Sequence, residues 1–252
     1  MTRLDVETIG KGPDLVLLHS LLTDRSSFAG LARQLADRRR VTLVNLPGFG
    51  SSPPADPLVG WADRVADLCD SLGGSAKPDI LGNGLGSFVA LLVAAQHSPE
   101  VGRLVLLGAA IAFPEPGRAT FRGLAEKAER EGMAPIAEVA IARMFTPDFV
   151  AAHPDIVAER KAVFLRIGPA VFAGAARALA TLDLSAEVER IRNPVLIVVG
   201  EKDGATTPAL GRELAARLAH ARLVELPGVG HAPHIHAPDL LVATIGPFLD
   251  FG

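Results

Sequence analysis

The chain has 252 residues, of which 49% are hydrophobic and 21% charged, and its formal net charge at pH 7 is −3. A chain of this length and hydrophobic content can bury a sizeable core, which excludes a disordered protein. It has no basic block of the kind that binds nucleic acid, apart from Arg38–Arg40, which we interpret as a solvated helix end.

No apolar run approaches the ~20 residues needed to cross a membrane, and the first residues contain no hydrophobic signal core. The single cysteine, Cys69, cannot form an internal disulfide, and its helical surroundings indicate a small buried hydrophobic residue. We therefore expect a cytoplasmic protein that has neither a nucleic-acid nor a membrane partner.

Short apolar runs alternate along the chain with longer helical patterns. Most runs are continuously apolar, which is typical of parallel strands covered by helices on both faces. The pattern predicts a doubly wound, mostly parallel α/β sheet of about seven strands. The predicted strands are Leu4–Thr8, Asp14–His19, Val41–Asn45, Asp79–Leu81, Arg103–Leu107, Val195–Gly200 and Arg222–Leu226. The predicted helices are Phe28–Ala36, Trp61–Leu72, Leu85–Gln96, Pro208–Leu218 and Pro238–Leu249.

Residues 109–192 interrupt this alternation, because they contain helical pattern broken by glycine and proline but no good strand. The sheet continues on both sides, so we expect one domain over residues 1–252, with a core of residues 1–108 and 193–252. The intervening segment is predicted to be a helical lid over an apolar pocket. Candidate lining residues are Phe113, Met144, Phe145, Phe164 and Phe172.

In three segments early in the chain, polar residues, proline or glycine follow directly after predicted strands. Residues 15–28 continue a strand into His19 and Ser20, and residues 45–52 form a Pro-Gly-x-Gly loop. Residues 80–87 place Gly84 between Gly82 and Gly86, where a strand turns sharply into a helix. A Cβ on either flanking glycine would collide with neighbouring backbone at such a turn.

Two later segments supply a carboxylate and a histidine. Residues 194–208 contain a buried strand that ends in Gly-x-x-Asp at Asp203, and residues 223–240 contain a Gly-x-Gly-His loop at His231. A carboxylate that holds one ring nitrogen of a histidine orients the ring and stabilises its cation.

Together, and in this order, the five segments resemble the α/β-hydrolase superfamily over most of the chain. The resemblance implies that Asp203 is the catalytic acid and His231 the general base. It implies that the backbone amides of Leu21 and Leu85 form the oxyanion hole. It also places Gly84, which has no side chain, at the position of the nucleophilic serine.

The chain departs from the family pattern at several positions. Ser20 replaces the usual glycine, and the Ser-Leu-x-Thr-Asp sequence that it begins is similar to 3-oxoadipate enol-lactonases. Asn45 replaces an aspartate, and His236 stands where relatives often carry glutamate. The first of the family's usual eight strands has no counterpart in the sequence.

Polar residues near the expected site have simpler interpretations than catalysis. Ser20 is an auxiliary candidate nucleophile, although its loop does not force its side chain into the open. Asn83 is expected to hold the turn by hydrogen bonds, and Ser87 to pack against it or cap the helix. His19 is expected to bond loop backbone.

A metal site at His231, His234 and His236 is the less favoured interpretation, because no cysteine or carboxylate ligand set accompanies them. We therefore expect no metal and no cofactor. The expected partner is a small-molecule substrate, and the sequence leaves the oligomeric state open.

Three explanations of Gly84 remain: an engineered loss of serine, a natural enzyme that acts without a covalent intermediate, and a protein that only binds. Under the first two explanations, the protein belongs to enzymes that hydrolyse a small carboxylic ester or lactone through a His-Asp base. The alternatives are a non-hydrolytic relative that abstracts a substrate proton, and an inactive binding protein.

Overall fold

A computed structural model describes residues 3–74 and 76–251. Its sheet has seven strands in the order β1-β3-β2-β4-β5-β6-β7, and all neighbours are parallel except β1 and β3. The predicted doubly wound, mostly parallel sheet is therefore confirmed. The strands are β1 Val6–Ile9, β2 Asp14–Leu18, β3 Arg40–Val44, β4 Asp79–Asn83, β5 Leu104–Leu107, β6 Val195–Gly200 and β7 Ala221–Leu226.

Helices cover both faces of the sheet, and 3-10 turns precede or follow some of them at Arg25–Phe28, Ser98–Glu100 and Ala134–Ile136. The first six helices are α1 Ala29–Leu35, α2 Val59–Ser71, α3 Leu85–Gln96, α4 Glu115–Glu131, α5 Ala137–Met144 and α6 Pro147–Ala152. The others are α7 Pro154–Leu165, α8 Pro169–Ala180, α9 Ser185–Val188, α10 Pro208–Arg217, α11 Pro233–His236 and α12 Pro238–Ile245.

Two hydrophobic clusters pack on the two faces of the sheet. The larger contains α2 and α3 together with most of the insertion, and the smaller contains α1 and α12. Helix α3 is apolar all round, and every residue from Leu85 to Ala94 is buried. Such a helix is stable only when it is covered on every side. It lies between the sheet and the insertion, so it carries the site-forming turn at its N-terminus on a rigid support.

The segment between β5 and β6 is helical, as its sequence predicts, and contains α4 to α9. Its two ends meet in a single antiparallel bridge between Ala112 and Asp183, beside a hydrogen bond from Leu184 N–H to the Ile111 carbonyl (2.9 Å). No single described helix is long and apolar enough to cross a membrane; α7 and α8 reach that length and composition only as a pair bent by 95°.

The interpretation of Arg38–Arg40 as a solvated helix end is wrong for two of the three residues. Arg39 is buried and pairs with Asp79, and it also donates to the carbonyls of Asp14 (3.0 Å) and Leu249 (2.9 Å). Arg40 forms a two-point ion pair with Asp14. The arginines therefore join β2, β3, β4 and the C-terminal segment at the end of the sheet opposite the glycine turn.

Two histidines lie in the core in neutral form. His19 is 0% exposed; its Nδ1–H donates to the Ser20 carbonyl (2.8 Å) and its Nε2 accepts from Leu46 N–H (3.0 Å). His234 is 2% exposed and stacks on Phe28, and neither of its ring nitrogens has a partner within residues 3–74 and 76–251. Burial lowers the pKa of His19 to about 4 and that of His234 to about 3.

These pKa values make the fold acid-sensitive. Below pH ~6.5 the unfolded chain takes up a proton at each position and the folded chain does not, so stability falls as the pH drops from about 6.5 toward 4. Replacing His234 by Phe keeps the stack on Phe28 and removes the titrating group. Between pH 7 and pH 5, the free energy of unfolding measured in urea should fall by about 2 kcal/mol less in His234→Phe than in the native protein.

The matched control is His220→Gln, since His220 is exposed on the surface. This variant should keep the native pH dependence of stability. An unchanged loss of stability in His234→Phe between pH 7 and pH 5 would contradict the assignment of a neutral buried imidazole.

Candidate active site

The site lies at the carboxyl edge of the sheet, where loops that follow four of its parallel strands meet. In a parallel sheet all such loops emerge at one edge, which makes that edge the usual ligand site. The loop after β2 contributes Ser20 and Leu21, the turn after β4 contributes Gly84, and the loops after β6 and β7 contribute Asp203 and His231.

The turn at Gly84 has the geometry that its sequence predicts. Gly84 has φ +51° and connects β4 directly to α3, and its N–H donates to the Leu107 carbonyl (2.8 Å). A Cβ on Gly82 would overlap the backbone of Gly86, and a Cβ on Gly86 would overlap the carbonyl of Leu18. Only glycine at both positions allows α3 to approach β2 and β4 so closely.

Asp203 and His231 form a buried pair. His231 Nδ1 lies 2.8 Å from Asp203 Oδ2, and the two residues are 5% and 3% exposed. The other carboxylate oxygen, Oδ1, accepts from the backbone amides of Ala205 and Thr206, both at 2.8 Å. Because a carboxylate accepts hydrogen bonds, Nδ1 carries the hydrogen and Nε2 keeps its lone pair.

Gly108, which the sequence alone did not single out, packs closely against this pair. It follows β5 with φ +64°, and a Cβ there would lie 3.0 Å from Asp203 Oδ2 and 3.1 Å from two atoms of the His231 ring. The available signal was a glycine at the carboxyl end of a predicted strand. Its missing side chain leaves the space in which carboxylate and imidazole meet.

The ring of His231 also occupies space beside Gly84. A Cβ built on Gly84 would lie 2.8 Å from His231 Nε2 and 3.3 Å from the Cβ of Ser20. Nε2 has no hydrogen-bond partner among the described residues. A side chain at position 84 would therefore require the ring to move back, and without one Nε2 faces the cavity directly.

Two backbone amides beside Gly84 are free to donate. The N–H groups of Leu21 and Leu85 have no acceptor in the described part of the chain, and both residues line the cavity. Leu85 is the first residue of α3, whose dipole places partial positive charge at that end. The amide of Leu22, by contrast, donates to Ser20 Oγ (3.2 Å). The amides of Leu21 and Leu85 are therefore both available to donate to a group in the cavity.

The three polar residues near the turn have structural contacts. Asn83 Nδ2 donates to the Leu107 carbonyl (3.2 Å) and to the His231 carbonyl (2.9 Å), so it joins the turn to the histidine loop. Ser87 Oγ donates to the carbonyls of Gly82 (2.8 Å) and Leu107 (3.2 Å). Ser20 is buried at the cavity wall, where its hydroxyl accepts from the Leu22 amide.

The histidines around His231 do not converge on a common point. His234 stacks on Phe28, whereas His236 Nδ1 accepts from Gly230 N–H (3.1 Å). Burial, and then His153, lower the pKa of His236. Among residues 3–74 and 76–251, no group of three His, Cys, Asp or Glu side chains could hold a metal ion.

A narrow, mostly apolar cavity opens between the turn and the insertion. Its volume of about 30 Å³ has room for one or two water molecules. Of the five predicted aromatic and methionine lining residues only Phe113 contacts it; the other four are buried elsewhere in the core. Besides the residues already described, the lining consists of Leu22, Phe88, Phe121, Leu124, Arg143, Leu179, Ala205 and Thr206.

Comparison with known proteins identifies the family of this chain. Residues 13–238 match the alpha/beta hydrolase fold family. The pimeloyl-[acyl-carrier protein] methyl ester esterase of Chromobacterium violaceum is 33% identical over 249 residues, which cover 95% of this chain and 96% of that protein. The enzyme of the same name from Nitrosomonas europaea is 29% identical, over 96% and 98% of the two chains.

Solved structures agree with the sequence relatives. The enol-lactonase from Burkholderia xenovorans LB400 superposes with a TM-score of 0.91 at 31% identity, covering 98% of this chain and 96% of the other. A thermophilic esterase from Thermogutta terrifontis, solved with malate bound, gives 0.89 at 27% identity over 98% and 93% of the two chains. The match spans most of the chain in each comparison, and the chain belongs to the α/β-hydrolase fold family.

Proposed function

We propose that this protein hydrolyses a small carboxylic ester or lactone with His231 as general base and a water molecule as nucleophile. The observation that carries the proposal is the free Nε2 of His231, which faces the cavity beside Gly84 with no side chain between them. The Asp203 bond fixes the tautomer in which this nitrogen accepts a proton.

The relatives support an ester as the reacting group. Two of them are named as methyl ester esterases and one as an enol-lactonase. An ester and a lactone present the same acyl carbon and the same kind of leaving oxygen. The site therefore has to polarise one carbonyl, deliver one nucleophile and protonate one alkoxide.

The reaction would proceed in two proton-balanced steps. Water attacks the acyl carbon while Nε2 of His231 takes its proton, and the carbonyl oxygen becomes an oxyanion that accepts from the amides of Leu21 and Leu85. The tetrahedral intermediate then collapses, and the imidazolium returns its proton to the leaving oxygen. Asp203 stabilises the imidazolium throughout without taking a proton.

The surroundings strengthen these interactions and limit access. Leu22, Phe88 and Leu179 make the cavity wall apolar, and charges interact more strongly where water is excluded. The cavity has room for one or two water molecules, so an acyl chain enters only if side chains of the helical insertion move aside. In this proposal the insertion would act as a lid.

A second function, abstraction of a proton from the substrate, is favoured by the same exposed Nε2. With no side chain at position 84, the base acts on whatever occupies the cavity, either a water molecule or an acidic C–H bond. The amides of Leu21 and Leu85 would stabilise an enolate as they would a tetrahedral oxyanion.

Replacing His231 by Ala tests the proposed base. We expect ester hydrolysis to fall by at least about 100-fold, since general-base catalysis contributes 10²–10⁴. The melting temperature should fall by no more than about 4 °C, because Asp203 keeps its two backbone hydrogen bonds. A large loss of stability with little loss of activity in the folded fraction would indicate a structural histidine.

Replacing Gly84 by Ser tests whether the site accepts a covalent route. The hydroxyl would lie between His231 and the free amides, so p-nitrophenyl acetate should give a burst of acyl-enzyme and a rate at least about 100-fold above that of the native protein. The ring of His231 must first move back from the new Cβ.

Gly84→Ala is the matched control, because it adds the Cβ without the hydroxyl and should give no burst. Whether the native protein activates water or abstracts a substrate proton, both variants should lose the native activity, because their side chains fill the space beside His231 that the water or substrate needs. A folded Gly84→Ser protein that is inert to activated esters and to fluorophosphonate probes would contradict a covalent route at this site.

A further inference from the structure

Arg143 carries a charge that the proposed chemistry does not use. It lies in the last turn of α5, is half-buried, and lines the cavity together with Gly84 and His231. The remaining lining side chains are apolar or neutral, apart from the titratable ring of His231. The cavity therefore contains one permanently charged group.

No carboxylate of the described residues lies within 4.0 Å of the Arg143 guanidinium, and no hydrogen-bond acceptor reaches it. The two fully buried arginines differ in this respect, because Arg39 pairs with Asp79 and Arg160 pairs with Glu159. The contact that Arg143 does make is with the ring of Phe121, whose centroid lies 5.8 Å from Cζ.

The surroundings of Arg143 do not compensate its burial. Burial lowers the pKa of Arg143, and the opposing influence of the Asp203 charge does not offset it. A cation over an aromatic ring gains little compared with what a guanidinium loses when it leaves water. Its N–H donors make no hydrogen bond to the described residues and are available to a ligand that enters the cavity.

A carboxylate is the ligand group that fits these donors. The planar guanidinium presents parallel N–H groups that match the two oxygens of a carboxylate, and a charged pair of this kind gains strength in an apolar site. Such a pair would also neutralise the cavity. The apolar walls of Phe113, Phe121 and Leu124 would contact the carbon chain between that carboxylate and the reacting group.

We propose that Arg143 is a specificity-determining residue that binds a carboxylate of the substrate, so that the natural ester or lactone is anionic at neutral pH. That the substrate is an ester or lactone rests on the proposed function, whereas the binding of a carboxylate by Arg143 does not. Arg143 thereby selects acidic acyl compounds over neutral ones of the same length.

The role of Arg143 is tested by measuring the affinity of the protein for two amides, which the proposed ester hydrolysis does not consume. Glutaramate carries a carboxylate, whereas pentanamide has the same chain length and no charge. By isothermal titration calorimetry the native protein should bind glutaramate more tightly than pentanamide. Arg143→Gln should weaken glutaramate binding by about 10- to 100-fold, the range expected for hydrogen bonds between charged groups, and leave pentanamide binding unchanged.

Two further variants keep the test specific. Arg166→Gln removes an exposed arginine at the end of α7, away from the cavity, and should bind both amides as the native protein does. Arg143→Lys keeps the charge without the two-point geometry and should fall between native and Arg143→Gln. It also provides the comparison if Arg143→Gln fails to fold.

Equal affinities of the native protein for glutaramate and pentanamide would overturn the proposal, as would a glutaramate affinity unaffected by either Arg143 variant. Inorganic phosphate binding at Arg143 more tightly than glutaramate would overturn the choice of carboxylate. Absence of ester turnover with an intact charge preference would contradict the proposed function alone. Turnover without a charge preference would contradict this inference alone.

Discussion

The close approach of α3 to the sheet determines where every other part of the site can lie. That approach requires Gly82 and Gly86 to lack side chains, since a Cβ on either would overlap the backbone opposite. It places Gly84 at a positive φ at the rim of the sheet and leaves the first amide of α3, that of Leu85, without an acceptor among the described residues. The loop of His231 is then joined to this turn through Asn83. The absence of side chains at Gly82 and Gly86 thus allows a free amide and the imidazole of His231 to lie around Gly84.

Gly84 changes the chemistry available at that point without changing the surrounding framework. The pair of Asp203 and His231 keeps its hydrogen bond in the space that Gly108 leaves free. Nε2 extends toward the volume that a side chain at position 84 would fill. In the proposed function, a base that reaches the cavity directly would activate water or remove a proton from a ligand, and the free amides would stabilise the resulting anion in either case. The same arrangement would serve a nucleophilic side chain only after the imidazole ring had moved.

Motifs with local steric causes were predictable from the sequence, whereas contacts between distant elements were not. The turn at Gly84 and the positions of Asp203 and His231 follow strand ends, and their spacing reflects local backbone geometry. The role of Gly108 depends on two side chains from loops far along the chain, and that of Arg143 on how α5 packs over the sheet. Arg39 looked solvated because its partner Asp79 lies 40 positions away. The helical character of the segment between β5 and β6 was predictable, but the inward faces of its helices depend on packing that periodicity does not encode.

In the proposed reaction, no side chain stands between His231 and the reacting molecule. Intact-protein mass spectrometry during turnover of p-nitrophenyl acetate distinguishes this reaction from a covalent one. We expect p-nitrophenol to be released faster than by the His231→Ala variant while the native protein carries no acetyl adduct, because water attacks the ester in a single displacement. An acetyl group that forms and decays at the turnover rate, mapped to Ser20 or another side chain of the cavity, would show that a covalent intermediate forms instead.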